Sequence, residues 1–125
     1  MPSITRVGRV MVPVSDQDAA IAFYTNTLGF TLAADVPFGD GERWVEVAPP
    51  AGGANIALVP PRGDYETGRM TGVALESNDV RSAHEDLKGK GVDVDASPMG
   101  GDGTVPAMFF FRDPDANHLL LVEVA

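Results

Sequence analysis

The chain has 125 residues, 44% of them hydrophobic and 22% charged, a globular composition of one ordinary domain's size. Eighteen acids against nine bases leave a net charge of −9, which argues against nucleic acid and anionic membrane, since phosphate contacts need clustered Lys and Arg. The lack of cysteine excludes a disulfide scaffold, a thiolate nucleophile, an iron–sulfur cluster and a Cys-ligated zinc site.

In chain order, residues 7–14 read as a strand, with Val10, Val12 and Val14 alternating against Arg9, Met11 and Pro13. Ser15 offers an N-cap with Asp18 three residues on, and Ala20, Phe23, Tyr24, Thr27 and Leu28 share a helical face that Gly29 closes. Strands are expected over 30–36, 43–48 and 55–59, with turns at 37–41 and 49–53. Residues 60–70, rich in Pro, Gly and charge, look like a linker. The order then restarts. A strand over 72–77 is followed by a helix capped by Asn78 or Asp79, whose face is Val80, Ala83 and Leu87. Residues 92–96, 105–111 and 118–124 read as strands, separated by a glycine-rich loop at 98–103 and a turn at 113–117. That loop is either a plain hairpin or a flap.

The order βαβββ therefore occurs twice. Leu28-Gly29-Phe30 has its counterpart in Lys90-Gly91-Val92, 62 residues on. The fold class is α+β: module one over 4–60, a linker over 61–70, module two over 71–125, with curved mixed sheets around one cleft. The strongly apolar alternate of each strand belongs under its helix. This turns Arg9, Met11, Trp44, Glu46, Glu76, His118 and Leu120 to the other face, and Met108 and Phe110 are placed with them. Phe38 and Tyr65 are expected to reach that face from loops. An apolar lining with a few polar groups suits a small-molecule site. His84 reads as a half-exposed helix residue and Glu123 as a terminal solvated acid. No apolar segment approaches the length of a membrane span, and residues 1–9 contain no signal-peptide core, so a cytoplasmic location is expected.

The stretches Val12-x-Val14-x-Asp16, Ala20, Phe23-Tyr24, Leu28-Gly29-Phe30 and the turn Phe111-Arg112-Asp113-Pro114-Asp115-Ala116-Asn117 resemble the vicinal oxygen chelate superfamily. That group contains glyoxalase I, extradiol dioxygenases, fosfomycin resistance enzymes and bleomycin resistance proteins. The resemblance covers nearly the whole chain, and one departure is Ala116 where a glycine is usual. It implies paired βαβββ modules, a small-molecule ligand and a homodimer. It also implies metal-ligand positions, which fall here on Arg9, Glu46, Gly72 and Leu120. Among these only Glu46 has a metal-binding side chain, because arginine keeps its proton. No metal or other cofactor is therefore expected, and Arg9 is expected to pair with Glu46 where relatives hold the ion.

Two functions follow as expectations. The first is a binding protein of the bleomycin-resistance kind, which sequesters an apolar or aromatic, antibiotic-like ligand without a metal. The acidic balance weakly favours a cationic one. The second is a glyoxalase-like lyase, isomerase or dioxygenase, with or without a divalent metal and with Glu46 or His118 as base. An assembly module with no small-molecule role is a third reading.

Overall fold

A computed structural model describes residues 2–125. The elements follow the expected order: β1 (Arg9–Pro13), α1 (Gln17–Ala22) running into a π-helical turn (Phe23–Thr27), β2 (Thr31–Phe38), β3 (Glu42–Ala48), β4 (Asn55–Val59), β5 (Met70–Ser77), α2 (Val80–Gly89), β6 (Asp93–Val94), β7 (Met108–Arg112) and β8 (His118–Glu123). They form two four-stranded sheets, ordered β1-β4-β3-β2 and β5-β8-β7-β6. In each sheet the first strand is parallel to the last and the other pairs are antiparallel. This is the α+β architecture of two βαβββ modules. The chain divides into two compact units between Glu66 and Thr67.

In the first unit the strand alternation holds. Val12, Val14, Val45, Val47, Ile56 and Leu58 are buried on one side of the sheet together with Ala20, Tyr24 and Phe30. Gln17 ties the start of α1 to the sheet, its Nε2 donating to the Arg43 carbonyl at 3.1 Å and the Leu58 carbonyl at 2.9 Å. The cap of α1 is Asp16 rather than Ser15, its Oδ1 accepting from the Ala19 N–H at 3.1 Å. A carboxylate one residue closer to the helix meets the third free N–H and the positive end of the dipole together. The helix then widens. The Leu28 N–H reaches back to the Phe23 carbonyl (3.1 Å) and the Phe30 N–H to the Tyr24 carbonyl (2.9 Å). Tyr24 is thereby seated edge-on between Phe23 and Phe30, with ring centroids 5.3 and 6.0 Å away.

Pro37 and Phe38 belong to β2 and not to the turn, which is confined to 39–41. Proline is tolerated there because β2 is an edge strand and needs no N–H on its outer side. The linker is also more ordered than its composition suggests. Arg62 and Tyr65 exchange backbone hydrogen bonds of 3.0 and 2.7 Å. The Tyr65 hydroxyl donates to the Met11 carbonyl on β1, and Arg62 pairs with Glu42.

In the second unit Phe109, Phe111, Leu119 and Leu121 are buried together with Val80, Leu87 and His84. His84 is a correction: it is 7% exposed, one turn beyond Val80 on the packed stripe. Its Nε2 donates to the Asp95 carbonyl at 2.7 Å, and its ring stands edge-on to Phe109 at 4.9 Å. Glu123 is a second correction. Its Oε1 accepts from the Val80 N–H at 3.0 Å, so it joins Asp79, which accepts from the Ser82 N–H at 3.0 Å, in capping α2.

Strand β7 starts at Met108, later than the apolar run suggests, because residues 98–107 fold back on themselves. Met99 and Met108 bond reciprocally (2.8 and 2.9 Å), and the Gly101 N–H reaches the Val105 carbonyl at 2.8 Å. Gly100 permits the close approach. A Cβ there would lie 2.3 Å from the Pro106 oxygen, at φ +75°. The turn at 113–117 is built on Asp113, whose Oδ1 accepts from the Asp115 and Asn117 N–H groups at 2.9 Å each. Ala116 sits in it at φ +62°.

Candidate functional site

The face of the first sheet opposite the buried valines is assembled by ladder register. Arg9 lies across from Asn55, Glu46 across from Ala57 and Ala34, and Trp44 across from Val36. Glu46, at the centre, is 7% exposed, and both of its carboxylate oxygens are paired. Its Oε1 accepts from Asn55 Nδ2 at 3.0 Å. Its Oε2 accepts from Trp44 Nε1 at 2.6 Å and from Arg9 Nε at 2.9 Å. Hydrogen bonds to a carboxylate favour its charged form, whereas burial opposes it. Here the bonds from Asn55 and Trp44 prevail, with Arg9 adding to them, and hold Glu46 below its ordinary range.

The expected Arg9–Glu46 pair is thus present, with the glutamate side chain buried and the arginine side chain 54% exposed. Around it lie exposed Met11 and Phe38, and Phe38 meets the Trp44 ring at 5.8 Å with a tilt of 57°. Phe38 reaches this face from β2 itself rather than from a loop.

The second sheet has its own face. Glu76 is paired with Val122 and Ala74 with Leu120. Met108, Phe110 and Arg112 face Val122, Leu120 and His118. Glu76, Met108, Phe110, His118 and Leu120 therefore share one side of this sheet. Arg112 anchors the same side by donating to Asp93 and Asp95, each at 2.8 Å, and its bond holds the Asp93 carboxyl below the usual range. His118 donates from Nδ1 to the Ala116 carbonyl at 3.1 Å.

Sequence reasoning did not single out Asn55 or Arg112. The signal for Asn55 was its place at the head of a strand parallel to β1, in register with Arg9. Arg112 was visible only as part of a turn motif.

Glu46 is a poor general base, because three N–H donors stabilise the anion that would have to take up a proton. A divalent metal does not fit it either. Both carboxylate oxygens already accept hydrogen bonds, and a guanidinium nitrogen lies 2.9 Å from one of them. Of the other expected ligand positions, Gly72 adopts φ +77°, where an L side chain is strained, and Leu120 is apolar. Among the described residues no three His, Cys, Asp or Glu side chains are grouped to hold a metal ion, and no helix is long and apolar enough to cross a membrane.

Comparison with known proteins agrees with the fold. A solved superfamily member from Sphaerobacter thermophilus DSM 20745 is 34% identical and superposes with a TM-score of 0.89 over 97% of this chain and 98% of that one. TnmS3, an antibiotic binding protein from Streptomyces sp. CB03234, is also 34% identical, with a TM-score of 0.85 over 100% of both chains. The lactoylglutathione lyase of Salmonella typhimurium is 31% identical over 126 residues, covering 94% of this chain and 92% of its own. The family model for the Glyoxalase/Bleomycin resistance protein/Dioxygenase superfamily matches residues 6–121. The chain belongs to that superfamily.

Proposed function

We propose that the protein is a small-molecule binder that holds an apolar or aromatic, antibiotic-like ligand without a metal and without transforming it. The observation that carries this reading is the engagement of both oxygens of Glu46. At the position where the resemblance expects a metal-binding carboxylate, Asn55, Trp44 and Arg9 occupy its oxygens. The group is thereby built to order a surface rather than to bind an ion or move a proton. The exposed Met11 and Phe38, with the indole of Trp44 beside them, supply the apolar and aromatic area that small-molecule sites use. Likeness to an antibiotic binding protein along the whole chain supports the same reading.

The alternative, a glyoxalase-like reaction, draws on the likeness to a lactoylglutathione lyase. Its candidate base Glu46 is held in its weakly basic, ionised form. Titration of polycyclic aromatic antibiotics, followed by the fluorescence of the single tryptophan, Trp44, tests the proposal. Saturable quenching with recovery of unchanged ligand is expected. Turnover of a hemithioacetal substrate abolished by Glu46→Gln would overturn it in favour of the enzyme.

A further inference from the structure

We propose that the ligand of the first sheet's face is an aromatic anion, a carboxylate or a hydroxy acid, and that the free end of Arg9 takes its oxygens. The inference rests on the binding reading above and names the ligand's charge and recognition group.

The Nε of Arg9 is committed to Glu46, and neither Nη1 nor Nη2 has a partner among the described residues. A guanidinium held by Nε keeps a forked pair of donors, the geometry that matches two oxygens of one anion. Its plane is set in advance. Glu46 is itself fixed by Trp44 and Asn55, so little side-chain freedom remains to be lost on binding.

The aromatic part of the ligand follows from adjacency. Arg9 Nε and Trp44 Nε1 converge on the same oxygen, at 2.9 and 2.6 Å, so the indole edge and the guanidinium lie side by side. Met11 extends the apolar surface along β1. A ligand cation finds less here, because both oxygens of Glu46 already accept hydrogen bonds, its charge is offset by Arg9, and Glu42 on the same face is paired with Arg62. The net charge of −9 opposes an anion only at long range, where salt screens it.

The test is calorimetric titration at neutral pH with three probes that share one ring system: 2-naphthoate, neutral 2-naphthamide and cationic 2-(aminomethyl)naphthalene. We expect 2-naphthoate to bind about tenfold more tightly than the amide, the size of one charge-assisted hydrogen-bonding contact, and the amine to bind most weakly. Arg9→Gln should abolish the preference for 2-naphthoate over the amide, read as the ratio of their two affinities. Arg9→Lys, which keeps the charge but loses the fork, should retain only part of the preference. If the amide or the amine binds at least as tightly as 2-naphthoate to the unmodified protein, the anion inference is overturned and the binding reading stands. A naphthoate preference that survives Arg9→Gln also overturns it, since the anion then sits elsewhere. If none of the three binds, both fall.

Discussion

Trp44 and Glu46, two positions apart on β3 and on the same side of it, are joined by a 2.6 Å hydrogen bond from the indole to the carboxylate. The bond makes the aromatic surface and the charge one unit, because moving either disturbs the other. Trp44→Phe keeps an aromatic ring, though a smaller one, and removes the donor. It should cost about 1–2 kcal/mol, the scale of a hydrogen bond to a partly buried charge, read from urea unfolding followed by circular dichroism. Combined with Arg9→Gln the loss should depart from additivity, since both donors serve one oxygen. Two strictly additive losses would mean that the donors act independently.

The pH dependence of stability follows from the same carboxylate. Its folded value lies below the ordinary 4.5, so below that value the unfolded chain binds more protons than the folded one. The stabilisation is therefore complete above 4.5 and is lost as pH falls through the lower folded value. Asp35 and Asp93, held low by Arg43 and Arg112, contribute in the same direction. Urea midpoints taken from about pH 7 down to about pH 3 should fall on acidification. In Glu46→Gln the fall should be shallower, starting from a less stable protein at neutral pH. An acid limb of unchanged steepness would remove Glu46 from this account.

His84→Ala should destabilise the protein by about 2–3 kcal/mol, combining a buried ring lost against Phe109 with an orphaned Asp95 carbonyl. A surface histidine on a helix would cost no more than about 0.5 kcal/mol. Thermal unfolding monitored by circular dichroism separates the two.

Ala116 occupies the left-handed region at φ +62°, a conformation that costs an L residue roughly 1–2 kcal/mol. Ala116→Gly should therefore stabilise the protein by about 0.5–1 kcal/mol, after the extra chain entropy glycine brings to the unfolded state is subtracted. A rise in the thermal midpoint is the expected result, and a fall would mean that the methyl group makes packing contacts that outweigh the strain.

The fold was legible wherever period and punctuation agreed. Asn55–Val59 was readable to its ends because turn residues bracket a short apolar run, and alternation alone turned Arg9 and Glu46 to one face. What escaped the sequence depends on contacts between distant elements. Asn55 looked like a strand terminus, and only the β1–β4 register brings it beside Arg9. His84 lies on the same stripe as Val80 and Leu87, but its polar type suggested the surface until the Asp95 carbonyl supplied its partner. Glu123 caps a helix that starts 43 residues earlier, a separation that no local pattern encodes.

The π-helical turn at Phe23–Thr27 bears on how this chain can change in length. A π turn accommodates one residue beyond an α-helical path. Deleting one residue there would restore a regular helix while the segments on either side keep their faces, so the π turn is a place where the chain can shorten. Single-residue changes in length that the fold survives should therefore fall at this π turn as well as in the 49–53 turn and the 60–69 connection.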